Sequence, residues 1–300
     1  MRSRHKLLAE FEWRAGTVGM KTQAECFGCN TYSYIRSEPA HRCVVRLANL
    51  GFRKFELMVH PGHLWPPGSN AEGLIDLRRI LSAGGLEVVT LNMPNIDVNI
   101  TAAAPEMRAH SLAILIDTIR LASEIGVRGI VIGPGKANPL FPADTAELVP
   151  YFFAALDTLC PLAKSAGTAL WVENMPFAYL PAIDELMSVL DCYGNDDIGI
   201  VYDIANAHFI SEDIRAGLVR CGKRLRLVHL SDTGRQQYRH DPVGHGSVPF
   251  HDMPAMLRDA GYYESPMLEI ISRNADNDIL DSVKRLTAFG FAPAVAVSSP

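Results

Sequence analysis

Short apolar runs alternate along the chain with longer stretches whose apolar positions recur at helical spacing. The first four runs lie at 27–34 (FGCNTYSY), 54–60 (KFELMVH), 86–93 (LEVVTLNM) and 129–133 (GIVIG). Four more follow at 169–174 (ALWVEN), 198–203 (IGIVYD), 225–231 (LRLVHLS) and 266–271 (PMLEII). Helical patterning fills 39–50, 74–83, 105–125, 144–166, 182–190 and 250–260, and several of these stretches close on a glycine. Apolar runs of this length, separated by helices, predict parallel strands buried on both faces. Eight such strands in 300 residues predict an α/β protein, a single (β/α)8 TIM barrel. The rival open sheet carries a Gly-rich phosphate turn after its first strand, and residues 27–39 contain none. The expected layout is a flexible extension over 1–22, the barrel over 23–290 and a tail over 291–300.

Composition narrows the function classes. Apolar residues make up 48% and charged residues 20% of the chain, enough for a large core and unlike a disordered chain. Twenty-eight Lys and Arg against 33 Asp and Glu give a net charge of −5, which argues against a nucleic-acid partner. No run reaches the ~18 apolar residues of a membrane span, and the first twenty residues lack a signal-peptide pattern. The six cysteines are scattered, and the lone CxxC pair, Cys26 and Cys29, reads as structural. A cytoplasmic, reducing compartment is expected.

In a parallel barrel the chemistry gathers at the C-terminal ends of the strands. Four runs carry an ionisable residue there: Glu173 ends ALWVE, Asp203 ends IGIVYD, His229 sits in LRLVHLSD, and Glu269 ends PMLE. Three buried carboxylates at one barrel mouth repel one another unless a cation joins them. An oxygen-rich set with one imidazole suits one divalent ion, Mn²⁺ first, with Mg²⁺, Co²⁺ or Zn²⁺ as alternatives. The competing reading pairs each residue with a surface Arg or Lys; four on successive strands argue against it.

Over residues 26–290 the chain resembles the xylose-isomerase-like barrels, which include ketose 3-epimerases, hydroxypyruvate isomerases, inosose dehydratases and, more distantly, AP endonucleases. The resemblance rests on VEN at 172–174, YDIANAH at 202–208, VHLSD at 228–232, RHDPVGHGSV at 239–248 and LEI at 268–270. It implies that Glu173, Asp203, His229 and Glu269 hold the metal, and that Glu173 and Glu269 act as the acid–base pair. Arg235 falls where the epimerases contact substrate oxygens. Where many members have a His, this chain has Asn206, with His208 two positions on; Asn cannot carry a proton. His240 matches one extra ligand of the endonucleases, but Tyr238 replaces their Asp, which argues against a trinuclear zinc site. The resemblance also implies a homo-oligomer.

Other rim residues are candidates for substrate contact. His60, His63 and Trp65 follow the second strand, Asn92 and Asn95 the third, and Lys136 the fourth, in a GPGK turn that is not a P-loop. With a hydroxy-ketone chelated at the mouth, one glutamate removes a proton and the other returns it through a metal-stabilised enediolate. The expected activity is isomerisation or epimerisation of a sugar or sugar acid. Dehydration of a keto-polyol is the alternative; an endonuclease-like hydrolase and a non-catalytic sugar-binding barrel stand behind it.

Overall fold

The computed structural model describes residues 23–66, 71–93 and 97–292. Eight parallel strands pair in chain order and close into a barrel. They are β1 Gly28–Asn30, β2 Lys54–Met58, β3 Glu87–Asn92, β4 Gly129–Ile132, β5 Ala169–Glu173, β6 Gly199–Asp203, β7 Leu225–Leu230 and β8 Met267–Leu268. The (β/α)8 barrel expected from the alternating runs is the fold. The expected extension over 1–22, Asn95 and residues 293–300 of the expected tail lie outside the described residues.

Each apolar run holds a strand, and several strands stop before the run does. β1 ends at Asn30 because its side-chain Oδ1 accepts from Tyr32 N at 2.6 Å, turning the chain into the 3₁₀ helix Tyr32–Tyr34. β8 spans two residues, although Glu269 N still reaches Leu230 O at 3.1 Å. Helices Ala40–Asn49, Pro105–Ile125, Thr145–Ser165 and Ile183–Tyr193 follow the expected stretches closely. Thr145–Ser165 is long and apolar enough to cross a membrane by length and composition. Here its Phe152, Leu156 and Leu159 are buried in the core shared by helices and sheet.

Alternation along each strand divides the core in two. Outward-facing residues such as Leu170, Val172 and Ile200 pack under the helices. A separate inner cluster of Val89, Val131, Trp171, Val201, Leu227 and Met267 fills the barrel. Trp171 fits because its neighbours across the sheet are small. A Cβ on Gly129 would stand 2.4 Å from the Trp171 ring, and one on Gly199 2.6 Å from it. Both glycines pair in register with β5.

His63 ties the β2 loop to the end of β1. Its Nδ1–H donates to Glu38 O at 2.6 Å, and its Nε2, 3.0 Å from Thr31 Oγ1, accepts from that hydroxyl. Burial pushes this imidazole from the ordinary 6.5 down to about 4.

Two stability predictions follow from these contacts. Gly129→Ala forces a methyl into the Trp171 ring and should cost about 1–3 kcal/mol in urea unfolding followed by circular dichroism. For His63, the unfolded state protonates first as pH falls, so its contribution is complete above pH 6.5 and is lost on descending toward pH 4. His63→Gln should flatten that part of the stability–pH curve; an unchanged slope would contradict the assignment.

Candidate metal centre

The period-two alternation that points Trp171, Val201, Leu227 and Met267 into the barrel repeats two residues further along each chain segment. There it raises Glu173, Asp203, His229 and Glu269 on the same face, one layer nearer the mouth. Each offers one ligand atom, and the four atoms lie within 4.8 Å of one another. All four residues are buried. His229 Nδ1 lies 3.1 Å from Glu269 Oε2, 3.2 Å from Glu173 Oε1 and 3.7 Å from Asp203 Oδ2.

A fourth carboxylate, Glu56 in the middle of β2, backs this group and is fully buried. His229 Nε2 sits 3.1 Å from its Oε1. Glu56 also accepts from Asn30 Nδ2, from Thr90 Oγ1 at 2.7 Å and from Asn92 Nδ2 at 3.1 Å. With Nε2–H directed at Glu56, His229 keeps Nδ1 for the ligand cluster. A search for ionisable residues at run ends does not select Glu56. The signal is a carboxylate at an inward position inside KFELM.

The electrostatics are those of crowded like charges. Burial raises the Asp203 carboxyl well above its usual range, and Glu269 and Glu173 add to the rise. Burial likewise raises Glu173, against the pull of His229. For His229 burial acts downward, yet the carboxylates of Glu56 and Glu269 and the hydrogen bond to Glu173 lift it well above its ordinary value. Glu56 is lowered despite its burial, because the charge and hydrogen bond of His229 and the hydrogen bonds from Thr90 and Asn92 favour its charged form.

Among the described residues, the ion-pair partners of Glu173, Asp203 and Glu269 are His229 and His240, not Arg or Lys. Asp203 Oδ1 accepts from Asn206 N at 2.6 Å, whereas Oδ2 is buried without a hydrogen-bond partner. An orphaned carboxylate oxygen facing two more carboxylates and an imidazole fits a divalent cation.

Above the cluster opens a cavity of about 360 Å³. Glu173 and Glu269 line it, together with Asn206, His240, Lys136 and Asn92 from the sequence candidates. Tyr238 lines it too, held in a defined chain of donors. Asn206 Nδ2 donates to Asn174 O at 2.8 Å, leaving its Oδ1 to accept from the Tyr238 hydroxyl at 2.8 Å. The Tyr238 oxygen then accepts from His240 Nε2–H at 2.7 Å, and His240 Nδ1 accepts from Ser231 Oγ at 2.9 Å.

Four other candidates lie elsewhere. His60 and Trp65 line a neighbouring cavity beside Arg36 and His110. His208 is buried with Nε2 2.8 Å from Ser247 Oγ, and Arg235 is exposed; neither lines the cavity above the cluster. Cys26 and Cys29 are buried and are not joined by a disulfide.

Comparison with known proteins agrees with this architecture. An uncharacterised protein of Methanocaldococcus jannaschii is 24% identical over 244 residues, 80% of either chain. An L-ribulose-5-phosphate 3-epimerase of Salmonella paratyphi C is 24% identical over 178 residues, 59% of this chain and 62% of its own. Among solved structures, a D-tagatose 3-epimerase-like protein superposes with a TM-score of 0.76 at 19% identity, covering 88% of this chain and 96% of that one. The IOLI protein with a bound zinc atom gives 0.75 at 15% identity, covering 90% and 99%. The model of the xylose isomerase-like TIM barrels matches residues 44–289, and the chain belongs to that family.

Proposed function

We propose that this protein is a divalent-metal-dependent isomerase or epimerase of a sugar or sugar acid. The observation that carries the reading is the convergence of Glu173, Asp203, His229 and Glu269 within 4.8 Å, with both glutamates facing the cavity above them. These four residues would hold the ion. When bound, it would polarise a hydroxy-ketone and stabilise the negative charge that builds as the adjacent carbon loses its proton.

The remaining work falls to the chain. Glu173 and Glu269 come from β5 and from the end of β8, three strands apart in the ring, and so flank whatever lies between them. One takes the proton from carbon and the other returns it. Asn206 and Tyr238 have no proton to exchange at neutral pH and serve to orient hydroxyls. Glu56 holds His229 in the tautomer the site requires.

The purified protein should bind one Mn²⁺ per chain by calorimetry, and Asp203→Asn should abolish that binding. With a ketose substrate in D₂O, deuterium should enter at the carbon beside the carbonyl without change of carbon skeleton. Loss of water instead would identify a dehydratase. Glu269→Gln should retain the fold and lose turnover by about 10²–10⁴-fold; near-normal activity would remove its acid–base role. Glu56→Gln should weaken Mn²⁺ binding about 10–100-fold, and undiminished affinity would show that Glu56 does not hold His229.

A further inference from the structure

Asn30 ends β1, is buried, and does not line the cavity above the cluster. Three groups fix its side chain. Oδ1 accepts from Tyr32 N at 2.6 Å, while Nδ2 donates to Glu56 Oε1 and, at 3.2 Å, to Glu269 Oε1. A backbone N–H on one side and two carboxylates on the other leave one orientation of the amide that satisfies all three. Nδ2 has two protons for two acceptors, so this amide bridges Glu56 and Glu269.

The bridge distinguishes the two oxygens of Glu269. Oε1 is engaged by Asn30, whereas Oε2 lies 3.1 Å from His229 Nδ1 and 3.5 Å from His240 Nδ1. The bond from Glu269 N to Leu230 O fixes the backbone here. It does not fix the last side-chain torsion of a glutamate, which is broad and turns at little cost. The Asn30 amide restrains that torsion. Because the same amide donates to Glu56, the carboxylate behind His229 and the carboxylate at the mouth are held in one frame.

Resting on the function proposed above, we infer that Asn30 is a positioning residue for the reaction. It holds Glu269 Oε1 on the protein side and so turns Oε2 to the cluster, acting through Glu269 rather than on the substrate.

Asn30→Ser removes the bridge: a serine hydroxyl can still accept from Tyr32 N but is too short to span both glutamates. Deuterium entry from D₂O into erythrulose on the Mn²⁺-loaded protein measures the reaction. The variant's kcat should fall about 10–100-fold, with KM kept within about threefold. In a Glu269→Gln background the same substitution should change the residual rate less than about threefold, because the group it positions is already gone. An undiminished loss in that background assigns the effect to the β1 turn or to Glu56 and overturns the inference. A crystal structure of the Mn²⁺-loaded wild-type protein gives a readout that needs neither a variant nor turnover. Glu269 Oε1 should remain on Asn30 with Oε2 toward the ion; an ion held by Oε1, or Glu269 turned away from Asn30, overturns the inference. If that geometry is found but erythrulose and other ketoses take up no deuterium, the proposed reaction falls while the placing of Glu269 by Asn30 stands.

Discussion

The site depends on a packing layer that contains no chemistry. Trp171, Val201, Leu227 and Met267 fill the barrel at one level, and strand alternation then leaves the next inward position of each segment with nowhere to face but the mouth. Polar side chains placed there are surrounded by protein rather than water. The large Trp171 ring, accommodated by Gly129 and Gly199, sets the height of that floor. The glycines and the four mouth-facing residues are thus parts of one arrangement.

Charge is the second constraint. Four buried carboxylates, counting Glu56, face one imidazole. Such a group folds in a low-dielectric interior only if protons or a cation offset the repulsion. The two oxygens of Asp203 divide between these needs. One is satisfied by backbone, and the other is reserved for the cluster. Glu56 differs in being saturated with donors. It therefore acts on the site through His229.

Much of this was legible in the amino-acid order because the barrel forces a regular relation between strand and site. The inward positions of ALWVE and GIVYD end in carboxylates at the place where parallel strands deliver their side chains. A search confined to run ends did not expose Glu56, which stands at an inward position in the middle of its run. The short helix Ile204–Phe209 is also below the length at which a 3.6-residue period can be recognised. His208 and Arg235 lie in segments that resemble the family's motifs, yet their side chains are turned to Ser247 and to solvent. A one-dimensional motif records spacing; the direction of a side chain beyond a strand end is set by loop packing.

Asp203 is also the N-cap of the helix Ile204–Phe209, through the bond its Oδ1 accepts from Asn206 N. The first turn of that helix bears Asn206, the anchor of the Tyr238 hydroxyl. One carboxylate thereby joins two mechanical systems: a charge centre below and a lever of backbone above. The charge cluster and the tyrosine on the cavity wall are thus joined through a single helical turn.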